Sequence, residues 1–209
     1  MAFSREFAKS LGLDPAVYCY GNTGGFHTGA FLASRKFVME LSKQNKFKRF
    51  TKIRKRFEEF LVKHKGFINQ LSHSKGGGTR PVDSILEMFW VLMEQLESGV
   101  RKDDTIVAEM RTKKSLKKLV EEEPQFDEPV RRRFSKAVER AKVVESTLKT
   151  RARCPECRAR LAPSLRSKEH RQPKDDGGMG TLENLDFLHP FCNQLRVEKQ
   201  QAKKKKSVR

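Results

Sequence analysis

Cysteine is scarce in this chain. Only Cys19, Cys154, Cys157 and Cys192 occur in 209 residues, too few for a disulfide framework of this length. Long apolar runs are missing too. No stretch approaches the length of a membrane span, and the N-terminal MAFSREFAKSLGLDP has no apolar signal core. A soluble, cytoplasmic protein is expected. Acidic residues are in short supply, 26 Asp and Glu against 45 Lys and Arg, which leaves a formal net charge of +19. A field of that sign attracts polyanions, with DNA and RNA the usual candidates. Both halves of the chain are basic, and the C-terminal part from residue 151 carries its charge more densely. No internal repeat is visible.

Hydrophobic residues make up 36% of the chain, enough for a core but not a generous one, and 15 phenylalanines supply much of it. The length suits one domain of moderate size or two small ones. Residues 12–30 are rich in turn formers, and AVYCY within them reads as a short strand or the buried edge of a loop. Cys19 reads as a buried apolar side chain. A helix is expected after Thr28, carrying Phe31, Leu32, Phe37, Val38 and Leu41. FTKIRKRFEEFLVKHKGFINQL then places Ile53, Phe57, Phe60, Leu61, Phe67, Ile68 and Leu71 on one helical face, with Lys, Arg and Glu opposite. His64 falls on the buried side.

SHSKGGGTRP breaks the pattern. Its glycines lack the G-x-x-x-x-G-K-[ST] spacing of a phosphate loop, so it reads as an interhelix connection. PVDSILEMFWVLMEQL follows as an apolar helix opening at Pro81, with Val82, Ile85, Leu86, Phe89, Trp90, Met93 and Leu96 as its core stripe. Residues 103–149 predict two more amphipathic helices divided near EEEPQFDEP, the second repeating Phe134, Val138, Ala141, Val144 and Leu148. Glu121–Glu123 reads as a solvated helix end. The basic tail, residues 201–209, reads as disordered or as a frayed helix end. Residues 1–150 thus predict a basic helical domain, and the composition turns to short, turn-rich pieces at Cys154.

Two residues between Cys154 and Cys157 let both sulfurs reach one ion. His189 stands three before Cys192, repeating that spacing. Together Cys154, Cys157, His189 and Cys192 predict a closed, structural zinc site that pins the ends of a module too small to fold unaided.

Inside that clamp the order CPEC, EHRQP, DDGG, ENLDFL and HPFCN resembles the HNH nuclease module. The resemblance implies an α+β, mostly helical chain, in which a helical domain precedes a small ββα-metal module over residues 151–200. It implies a strand over roughly 165–172 bearing His170, a loop at KDDGGMG, a return segment with Asn184, and a last helix opening at HPFCN. It also implies His170 as the general base, in its neutral form against a backbone carbonyl, and Asn184 as the residue that orients that base or its loop. Glu169 and Asn193 then hold a catalytic divalent ion, Mg²⁺ or Mn²⁺. The family more often has Asp at the position of Glu169. Asp175 and Asp176 lie in the variable loop and read as solvated. Arg171, Lys174 and Arg196 flank the site as candidate DNA-phosphate contacts.

The helical half, from LGLDPAVYCYGNTGGFHTGAFL to the second helix, resembles the helical part of modification-dependent restriction proteins of the GmrSD kind. That likeness implies a restriction or anti-phage setting, with a partner subunit or a nucleotide-hydrolysing domain. The expected activity is that of an HNH endonuclease on DNA. The rival readings are a non-catalytic, zinc-stabilised nucleic-acid-binding module and a helical interaction protein stapled by zinc.

Overall fold

In the computed structural model, which describes residues 11–121 and 133–207, the chain divides into two units. One runs from Pro15 to Thr150; the other joins residues 11–14 to the chain from Arg151 onward. The sequence assigns 1–150 to a single helical domain. Residues 11–14 group instead with the C-terminal unit because their partners lie there. The buried carboxylate of Asp14 accepts from Arg151 Nε at 2.7 Å. Gly12, at φ +57°, lies so close to Leu165 that a Cβ would stand 2.7 Å from its carbonyl oxygen.

The helical unit comprises α1 (Pro15–Tyr18), α2 (Thr28–Lys43), α3 (Phe47–Lys63), α4 (Gly66–Ser74), α5 (Val82–Glu97), α6 (Asp103–Thr112) and α7 (Lys136–Thr150). AVYCY is neither of the two forms expected of it, but a helical turn followed by an isolated bridge between Tyr20 and Phe26. Cys19 is buried beside it, as its apolar surroundings require. Helix α5 packs against α2, α3 and α6. Between them lies a ring cluster, with Phe37 stacked on Phe57 at 5.7 Å and Phe50 meeting Phe57 edge-on at 5.1 Å. Phe89 completes it, 5.9 Å from Phe57, and all four rings are fully buried. Burying each contributes about 1.5–3 kcal/mol. Trp90 stands at the edge of its stripe rather than inside, half-buried, with its indole N–H donated to Glu40 at 2.7 Å.

Three expectations change here. The helix expected across residues 50–71 is two helices, α3 and α4. The backbone leaves helical geometry at His64 (φ −102°, ψ 38°), and Lys65 turns its ammonium onto the carbonyls of Ala16 at 2.6 Å and Tyr20 at 3.0 Å. A buried cation here answers the open carbonyls at the end of α1. Next, the polar face of α3 is not wholly solvated. Arg54 and Glu58 are fully buried as an ion pair at 2.8 Å, and the Tyr18 hydroxyl donates to the same carboxylate at 3.4 Å. Last, α6 ends at Thr112 and the chain turns through residues 113–118, while Phe134 precedes α7 and is 80% exposed. Only Val144 and Leu148 of the α7 stripe are buried. The expected division near EEEPQFDEP lies mostly outside the described residues. Glu121, the one member of its acidic run that is described, follows α6 and pairs with His64 at 3.1 Å. Of SHSKGGGTRP, Ser72 to Ser74 still belong to α4 and residues 75–81 form the expected connection, with Gly76, Gly77 and Gly78 all at positive φ.

The C-terminal unit carries strands β1 (Ser167–His170) and β2 (Leu185–Leu188) and helix α8 (Pro190–Ser207). The strands pair antiparallel, Glu169 opposite Asp186 and His170 opposite Leu185. Helix α8 packs on β1, and its backbone continues through residues 201–207 of the basic tail. The coarse class, α+β and mostly helical with a two-stranded sheet, is as expected.

Candidate metal centre and the hairpin–helix face

The segment around Cys154 is a tight knuckle. Cys154 N–H donates to Ala159 O at 2.9 Å, Arg158 N–H returns to Cys154 O at 2.8 Å, and Arg158 takes positive φ to close the turn. This loop brings Cys154 and Cys157 toward the start of α8, where His189 and Cys192 sit one helical turn apart. The four ligand atoms lie within 4.8 Å of one another. Cys157 Sγ is 3.3 Å from His189 Nδ1, and Cys192 Sγ is 3.9 Å from it. A tetrahedral zinc with bonds of 2.0–2.3 Å needs ligand edges of about 3.5–3.8 Å, so the set could hold zinc with small shifts of its side chains.

The histidine is oriented for that role. His189 Nε2 lies 2.8 Å from the carbonyl oxygen of Arg160, an acceptor that keeps the proton on Nε2 and leaves the Nδ1 lone pair facing the sulfurs. His189 is fully buried, and Leu161 and Leu188 pack beside Cys154 and Cys192. The sulfurs cannot share negative charge freely at this distance. Hydrogen bonding from Cys157 and Cys192 holds the Cys154 thiol far below its ordinary range, and the same crowding pushes Cys192 far above. A divalent cation among them removes that conflict. Among the described residues, no other set of three or more His, Cys, Asp or Glu groups lies close enough to hold a metal.

The remaining expected residues lie on the hairpin and on α8. Strand alternation puts Glu169 on the same side as Asp186, and His170 on the reverse side. Arg196 of α8 reaches Asp186, so the Glu169 side is the one facing α8. Asn193 stands one turn before Arg196 on that helix. Its Oδ1 is buried and has no hydrogen-bond partner among the described residues. An amide oxygen left bare in this way fits a hard cation, and Glu169 is the carboxylate on the facing strand. At present Glu169 Oε1 accepts from His170 N–H at 3.0 Å. The His170 ring is half-buried and has no hydrogen-bond partner among the described residues, so the carbonyl expected against it is not seen.

The Asn184 side chain bonds to the backbone of the loop. Its Oδ1 accepts from Gln172 N–H at 2.6 Å, and its Nδ2 donates to the carbonyls of Met179 at 2.7 Å and Gln172 at 3.2 Å. Gly178 is needed for the same closure, since a Cβ there would stand 1.9 Å from Gln172 O. Asp175 and Asp176 sit in an exposed 3₁₀ turn of this loop.

Of the three cations assigned to DNA, Lys174 is exposed and has no carboxylate partner among the described residues. Arg171 is exposed and meets Asp186 at 3.1 Å. Arg196 differs from its expected role. It is largely buried, with its guanidinium shared between Asp186 at 2.8 Å and Glu156 at 3.0 Å. Burial opposes the Asp186 charge, yet hydrogen bonds from Arg196 and Arg171 outweigh it and hold the carboxyl below its usual range. Arg196 therefore ties the knuckle, β2 and α8 together. Sequence reasoning missed Asp186 and Glu156, because no spacing rule pairs a knuckle residue with one forty positions later.

Compared with known proteins, the chain matches no family model, no curated protein and no solved structure. No helix among the described residues is long and apolar enough to cross a membrane.

Proposed function

We propose that the C-terminal unit is a metal-dependent endonuclease module of the HNH type, hydrolysing phosphodiester bonds of DNA. The observation that carries this reading is the bare, buried Oδ1 of Asn193, on a helix packed against the strand of Glu169 and His170. A binding module has no use for such an atom, whereas a catalytic site that takes Mg²⁺ or Mn²⁺ does. Glu169 and Asn193 would hold the ion, which supplies Lewis-acid polarisation of the scissile phosphate. His170, its ring free of partners among the described residues, takes the proton of the attacking water. Asn184 holds the loop that follows the base. Lys174 and Arg171 offer charge to the phosphates, and the net charge of +19 draws the polyanion in. A restriction or anti-phage setting, with a partner subunit or a nucleotide-hydrolysing domain, rests on the resemblance of the helical half alone.

Two observations favour the rival, a zinc-stabilised module that binds nucleic acid without cutting it: Glu169 is turned onto its own strand's N–H, and His170 lies on the face of the hairpin away from Glu169 and α8. Nicking of supercoiled plasmid with Mg²⁺, Mn²⁺ or EDTA separates the two. The expected result is metal-dependent nicking by the wild type, reduced about 10²-fold or more in His170→Ala with DNA binding retained. Equal nicking by both proteins sinks the assigned mechanism. Tight, salt-sensitive binding with no nicking by either selects the rival.

A further inference from the structure

The helical unit contains a cavity of about 620 Å³ between α4, α5 and the turn that follows α6. Its size is that of sites for small organic ligands. Its rim is basic, with Lys75, Lys114, Lys117 and Lys118 all lining it. Among the described residues none of these four is paired with a carboxylate, although neighbouring Lys113 pairs with Glu109 at 3.2 Å. Among the described residues of the lining the one acid, Glu87, is engaged by the Ser115 hydroxyl and so orders the wall. The floor is apolar, formed by the buried Leu71 and Leu119. The lysine-bearing turn is also braced. Gln70 donates to Val120 O at 2.7 Å and accepts from Val120 N–H at 3.0 Å, and Arg111 donates to Leu119 O at 2.8 Å.

All four lysines are exposed, so water screens their mutual repulsion, and an anion standing among them lowers it further. Ammonium groups over a hydroxyl and an apolar floor match a phosphorylated ligand with an organic body. We infer that this cavity binds the phosphates of a nucleotide, with the base or sugar against Leu71 and Leu119. The nucleotide is either free or part of a nucleic-acid strand; the chemistry is shared. This inference does not rest on the nuclease reading, because the cavity belongs to the helical unit and no group of the hairpin takes part.

The test is calorimetric titration of the full chain with ADP, with sodium pyrophosphate, and with a short 5′-phosphorylated deoxyoligonucleotide. ADP is expected to bind, and more tightly than pyrophosphate. Lys114→Ala/Lys118→Ala is expected to weaken ADP binding about tenfold or more. Lys117→Glu serves as a second variant, and thermal melts confirm that both remain folded. Displacement of ADP by the oligonucleotide supports a strand as the source, and its failure supports a free nucleotide. Unchanged ADP affinity in both folded variants, absence of ADP binding, or equal affinity for pyrophosphate overturns the inference.

Discussion

At the scale of single residues, Asn184 shows how one side chain can serve a site without touching the chemistry. All three of its hydrogen bonds end on loop backbone, at Gln172 and Met179. Truncation to Ala leaves those groups to water on an exposed loop. Asn184→Ala is therefore expected to cost about 1–2 kcal/mol of stability and to speed amide exchange at Gln172. Unchanged exchange there would remove the loop-staple role. The residue type and its place in ENLDFL were legible only through the resemblance to the HNH module, which implies an asparagine there. Asp186 was not legible. Its importance comes from Arg196 and Arg171 converging on it across the hairpin and from the helix, and neither spacing follows a helical or strand period.

At the scale of elements, the junction of α3, α4 and α6 is set by charge as much as by apolar stripes. Asp103, at the start of α6, gathers Lys63 at 2.7 Å, Arg56, and His64 at 3.4 Å. Burial works against the Asp103 charge, but hydrogen bonds from Lys63 and Arg56 prevail and hold its carboxyl down to about 2. Its unfolded value is about 3.9, so the stabilisation, about 1–2 kcal/mol after solvent screening, is present above pH ~4 and lost as pH falls toward 2. His64 adds to the acid sensitivity from a higher starting point. Burial lowers its pKa, so the unfolded chain takes up a proton first once pH falls below about 6.5. Urea melts from pH 7 to pH 3 are expected to show the helical unit weakening in two stages. Asp103→Asn is expected to remove the lower one, and a flat profile in the wild type would contradict this account. Helical periodicity located α2, α3 and α5 correctly because their apolar stripes meet one another around Phe57. It ran α3 into α4 because the stripe continues past His64, while the break is made by Lys65 reaching the carbonyls of Ala16 in α1 and of Tyr20 just after it, 49 and 45 residues earlier.

At the scale of the whole molecule, the two units differ in what holds them. The helical unit has a large aromatic core. The C-terminal unit has a small one, built of Leu161, Leu188 and the cysteines themselves. Metal at the Cys154, Cys157, His189 and Cys192 cluster is thus expected to supply much of the C-terminal unit's stability. Metal analysis of the purified chain is expected to give one zinc per molecule, lost in Cys157→Ser. Chelation is expected to unfold the C-terminal unit while most helical circular dichroism survives. Stoichiometric zinc in Cys157→Ser would refute the four-ligand set.

The sequence by itself determined the candidate metal cluster, the helical stripes and the basic charge, because each is written in spacings of a few residues or in composition, while the hairpin was expected only from the resemblance of residues 151–200 to the HNH module. Tertiary structure alone decided the grouping of residues 11–14 with the C-terminal unit, the burial of Arg54 with Glu58, the break at His64, and the duty of Arg196. Each of these depends on a partner far along the chain. Burial turns such a partner into a requirement, because a charge or polar group removed from water must find its counterpart wherever the fold brings one within reach.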